Sequence, residues 1–103
     1  MSKKELEEYI NRNSHVIEIF SEKALEYQTD KNNNRFENKR WDEVKIAHTV
    51  DRMVNAFIED VYQKLRSQIK ENRFAPKWSW IDFMIKNEVL DKMEESVIEI
   101  KFE

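Results

Sequence analysis

The chain contains no glycine in 103 residues. At ordinary usage of about 7%, roughly seven would be expected. Glycine supplies the positive φ of tight hairpin turns and lets backbone approach a phosphate closely. Its absence argues against multi-hairpin β folds, P-loops and dinucleotide-binding loops. Proline occurs once, at Pro76. What remains is a chain of long helices joined by ordinary turns. The expectation is an all-α fold of three or four helices, forming one helical domain over residues 1–103, because a chain this short supports one modest core.

Other absences narrow the chemistry. Without cysteine there is no disulfide, thiolate nucleophile or thiolate metal site. The two histidines, His15 and His48, stand in no HExxH pattern, and no GxSxG appears. The nearest constellation is His48 with Asp51, one helical turn apart; Ala47, Val54 and Ile58 beside Asp51 on the helix would leave it partly buried. A structural ion pair accounts for it as well as a base or metal corner does. No catalytic residue, metal or cofactor is expected. No run approaches the ~18 apolar residues of a membrane span, and the polar start MSKKELEE does not read as a signal peptide. A soluble, cytoplasmic protein without membrane contact is therefore expected.

Periodicity places the elements. Ser2 and Glu5 form a capping box, and Leu6, Tyr9, Ile10, Val16, Ile17, Phe20, Ala24 and Tyr27 continue at helical spacing. This predicts a helix over about 3–28, kinked or divided at 11–14, where Ser14 can cap a second piece. Residues 29–39 read as a loop, with Asn38 capping the next helix. A second helix is predicted over about 40–72 from the stripe Ala47, Val50, Val54, Phe57, Val61, Leu65 and Ile69. A third is predicted over about 78–95, with Ser79 and Asp82 as its capping box. The ending VIEIKFE alternates like a half-buried strand, so 97–103 is expected either to prolong the helix or to add to a strand elsewhere.

Charge is segregated. Residues 31–41 hold Lys31, Arg35, Lys39 and Arg40 against Glu37, with Phe36 and Trp41 interleaved. Residues 63–77 hold Lys64, Arg66, Lys70, Arg73 and Lys77 against Glu71, with Phe74 among them. Cations alternating with aromatic rings suit nucleic acid or a nucleotide, the charge meeting phosphate and the ring meeting a base. On this reading Lys31, Arg35, Lys39, Arg40, Trp41, Arg66, Lys70 and Arg73 would make the contacts. The order of amphipathic helix, charged loop, Arg40-Trp41 and a helix with Thr49 also resembles small phage anti-defence sponges that capture cyclic nucleotides. That resemblance covers a handful of residues and lacks the family's glycines; it keeps a nucleotide ligand in view and implies no fold.

The segment KWSWIDFMIK carries more weight. On a helix, Trp78, Ile81, Ile85 and Val89 share one face, while Trp80, Phe83, Met84 and Leu90 cover much of the rest. A helix apolar nearly all round is buried nearly all round. A three-helix domain covers one face of its third helix, so the other calls for a partner. The expectation is that Trp78, Ile81 and Ile85 face the core, and that Trp80, Phe83, Met84 and Leu90 meet a second copy or another protein. The predicted role is that of a non-enzymatic regulator or inhibitor working through protein contacts.

Overall fold

The computed structural model describes residues 1–102. The chain forms helices α1 (Lys3–Asn13), α2 (Val16–Asn33), α3 (Glu43–Gln68), α4 (Pro76–Lys86) and α5 (Val89–Ile98), with a 3-10 turn at Glu37–Lys39. No strand occurs among the described residues, so the class is all-α as expected. Among the described residues the helices number five, because both outer helices predicted from periodicity are divided. No helix of the described residues is long and apolar enough to cross a membrane.

The first division falls at Ser14, whose backbone is extended. The Ser14 hydroxyl donates to Glu94 Oε1 at 2.7 Å and accepts from the Val16 amide at 3.1 Å. The same carboxylate oxygen accepts from the His15 amide at 3.3 Å. A negative charge from α5 thus sits at the start of α2, where unpaired amides and the helix dipole favour it. The second division falls at Glu88, the one residue of positive φ among those described (φ 50, ψ 42). A left-handed turn at a residue with a Cβ costs about 1–2 kcal/mol. It is tolerated because it turns α5 away from the axis of α4 and onto α2.

Several boundaries differ from the periodic reading. Helix α2 runs on through TDKNN to Asn33, since nothing in that stretch breaks a helix and both Gln28 and Asn32 are buried. Asp42, not Asn38, caps α3 by accepting from the Lys45 amide at 2.8 Å. Helix α3 stops at Gln68, short of residue 72. Pro76 occupies the first turn of α4, where its missing N–H costs nothing. Ser79 therefore lies inside α4 and caps nothing; its hydroxyl donates to the Ala75 carbonyl and accepts from the Asn72 amide. Of the two alternatives for 97–103, the helix is prolonged through Ile98 and the residues after it form an irregular tail, with no strand among the described residues. In that tail Phe102 lies edge-on to Phe20 at 5.6 Å and against Tyr27 at 5.4 Å, and Lys23 donates to the Ile98 carbonyl at the end of α5.

Helices α2 and α3 form an antiparallel pair, with Phe20 stacked on Phe57 at 4.3 Å and Gln28 reaching Met53. Helix α1 packs on both, and α5 packs on α2 and α4. Leu6, Ile10, Val16, Ala24, Ile58 and Val97 are almost wholly enclosed. On α3 the inward line is Ile46, Val50, Ile58 and Leu65, whereas Ala47 of the expected stripe is exposed. The molecule measures 57 × 22 × 22 Å, with a radius of gyration of 16.3 Å. A compact domain of this length would have about 13 Å. An elongated body exposes more surface per residue, and here part of it is apolar.

Glu94 provides a test of the joint between α5 and α2. The Ser14 hydroxyl, then the His15 amide, hold its carboxyl below the ordinary value of 4.5. A lowered folded-state value contributes stability above about pH 4.5 that is lost as pH falls through it. Thermal melts of Glu94→Gln should start lower than wild type at pH 7 and lose less on acidification. Parallel pH profiles for the two proteins would contradict the joint.

Candidate docking surface

The orientation of α4 decides what the surface offers. Trp80 and Met84, four residues apart, point inward and are 1% and 2% exposed. The Trp80 ring stacks on Tyr62 of α3 at 5.2 Å, and its Nε1 donates to Glu71 Oε1 at 2.5 Å. That bond is the main reason the Glu71 carboxyl is held below its ordinary value. The linker before α4 is fitted to this arrangement: Asn72 Oδ1 accepts from the Phe74 amide and the Asn72 carbonyl accepts from the Ala75 amide.

At 100° per residue, Trp78 and Ile85 share a face roughly opposite Trp80. They are 60% and 61% exposed. The expected facing of α4 is therefore inverted. Trp78 and Ile85, assigned to the core from sequence, stand in solvent, and Ile81 is half-buried. Of the four side chains assigned to a partner, Trp80 and Met84 are enclosed by this chain, while Phe83 and Leu90 are half-buried. The physical reason is the indole N–H: buried Trp80 has an acceptor in Glu71, and a tryptophan goes inside where its donor is satisfied.

An open groove of about 420 Å³ runs between α3 on one side and the end of α4 with α5 on the other; neither Trp78 nor Ile85 lines it. Phe57, Val61, Leu65, Phe83, Val89 and Met93 make its floor, and Asp60, Lys64, Gln68, Asn87, Lys92 and Ser96 its edges. A smaller notch shares Phe83 and Asn87 with it and is lined by Trp78, Lys70, Asp82 and Lys86. Phe74, 84% exposed, lies in the linker before α4. Sequence pattern picks out Phe57, Val61, Leu65 and Val89 as apolar face residues. It does not assign them to a groove, because that depends on where Glu88 turns the chain.

The two basic islands stand apart. They flank α3, whose 26 residues span about 39 Å. In the first, Arg35 lies 3.9 Å from the centre of the Trp41 ring and Lys45 4.5 Å from it. Asn32 accepts from the Trp41 amide at 2.8 Å and donates to its carbonyl at 3.0 Å. Arg40 donates to the Arg35 and Asn33 carbonyls, while Lys31 and Lys39 are exposed. In the second, Lys64 pairs with Asp60 at 2.9 Å, Lys77 with Glu5 at 3.5 Å, and Arg73 lies over Phe74; Arg66 and Lys70 are exposed. His48 and Asp51 are both exposed on α3, so the expected partial burial of Asp51 does not occur. No group of three or more histidine, aspartate or glutamate side chains suited to a metal occurs among the described residues.

Comparison with protein-family models, curated proteins and solved structures gives no match for this chain. The reading of the surface rests on its own chemistry.

The inverted facing separates two tryptophans two residues apart. Trp80→Ala should cost about 3–5 kcal/mol by leaving a cavity against Tyr62. Trp78→Ala should change stability by less than about 0.5 kcal/mol, as surface substitutions do. Chemical denaturation of both variants checks this; equal losses would contradict it.

Proposed function

We propose that the chain is a small non-enzymatic helical protein acting through protein contacts, by self-association or by docking on a larger partner, as a regulator or inhibitor would. The observations that carry this reading are the exposure of Trp78 and Ile85 on the outer face of α4 and the open groove with an apolar floor between α3 and α5. Contiguous apolar surface with polar edges is characteristic of interaction sites, and aromatic residues and methionine are enriched at interface centres. Phe83 and Leu90 of the expected interface keep part of their surface, Phe83 and Met93 line the groove, and Trp78 and Ile85 offer a second apolar area on the outer face of α4.

The alternative is binding of nucleic acid or a small phosphorylated ligand through Lys31, Arg35, Lys39, Arg40 and Trp41, or through Arg66, Lys70 and Arg73. It has less support. Trp41 already carries Arg35 and Lys45 against its ring, which competes with stacking by a base, and the two islands do not converge.

Photocrosslinking distinguishes a working surface from inert exposure. A benzophenone side chain at position 78 or 85, in cells making the full chain, should give a discrete protein adduct. The same group at exposed Glu22 on α2 should give none. Trp78→Glu combined with the position-85 probe should abolish the adduct without lowering the melting temperature appreciably. Absence of any adduct specific to positions 78 and 85 would refute the reading.

A further inference from the structure

Within that reading, on which this inference rests, we propose that the groove between α3 and the α4–α5 turn receives an acidic amphipathic helix of about three turns from a partner protein. Length comes from the floor. Its α3 side runs from Phe57 through Val61 and Leu65 to Gln68, positions along one face that span about 16 Å of helix axis. A segment of about eleven helical residues matches that length. Chemistry comes from the lining. Phe57, Phe83 and Met93 offer rings and a flexible thioether to branched side chains spaced at i, i+4 and i+7, the usual pattern for a helix laid in an apolar groove.

Charge sets the sign of the occupant. The groove and its adjoining notch are edged by Lys64, Lys70, Lys86 and Lys92 against Asp60 and Asp82. Lys64 pairs with Asp60, and Lys86 with Asp82 at 3.0 Å. Among the described residues neither Lys70 nor Lys92 has an ion-pair partner. The rim is therefore positive in a chain of formal charge −3. Glutamates flanking the apolar stripe of the occupant would meet Lys92 at the groove edge and Lys70 where the groove adjoins the notch, and a basic helix would be repelled.

The test uses two synthetic twelve-residue helical peptides with the same leucine stripe, one flanked by glutamate and one by lysine. Fluorescence anisotropy against the full chain should show the glutamate peptide binding at least tenfold more tightly, with the difference shrinking in high salt. Lys70→Glu with Lys92→Glu, both on the surface, should weaken it at least tenfold and leave the melt unchanged. Met93→Glu should abolish it, its folding being checked by circular dichroism. Equal affinities for the two peptides, or binding to neither, would overturn the proposal. So would light scattering that shows a dimer dissociated by Met93→Glu, since a second copy would then fill the groove. If the peptides fail while the adducts at positions 78 and 85 persist, only the acidic helix is refuted and the broader reading stands.

Discussion

The stacking of Trp80 on Tyr62, closed by the indole hydrogen bond to Glu71, fixes the rotation of α4. Once that rotation is set, the remaining surface features follow. Trp78 and Ile85 must face outward, Phe83 must sit beside α3, and Met84 must turn into the core with Val97. A 180° rotation would turn Trp80 into solvent and give up both its stack on Tyr62 and its bond to Glu71. The Trp80 side of α4 thus combines aromatic stacking, a satisfied indole donor and the burial of Met84.

A second constraint is the junction of α5 with α2. Without a glycine for the turn, the chain uses Glu88 in the left-handed region, and α5 then returns along α2. Glu94 secures one end of that packing at Ser14 and His15, Lys23 secures the other at the Ile98 carbonyl, and Phe102 continues it. The groove exists because α5 is held on α2 and leaves part of α3 uncovered. An elongated molecule with a half-covered central helix has apolar side chains to spare for another protein. Electrostatics at the rim would then select among partners more than it sets the strength of the contact.

The helical class could be read from the missing glycines and the single proline, and α3 from its period, because both depend on local chemistry. Boundaries were legible where a cap is local: Ser2 with Glu5 works as expected, and the break at 11–14 falls at Ser14, whose hydroxyl accepts from the Val16 amide, although that junction also draws on Glu94, eighty residues away. The polar stretch TDKNN reads as loop, yet it is helix because Asn32 is needed inside to hold Trp41. The facing of α4 was not legible because periodicity gives the spacing of apolar residues but no phase when a helix is apolar all round. Ile98, Ile100 and Phe102 alternate like a strand, yet α5 ends at Ile98, which is exposed, and Phe102 packs on Phe20 and Tyr27 of α2 without a sheet.

The rotation of α4 is open to direct measurement. With 5-fluorotryptophan at Trp41, Trp78 and Trp80, fluorine resonances can be assigned by single Trp→Phe replacements and their solvent isotope shifts compared in H₂O and D₂O. The resonance of Trp78 should shift clearly between the two solvents and that of Trp80 should not. A solvent-sensitive Trp80 beside a shielded Trp78 would reverse the facing of α4, and with it the docking surface.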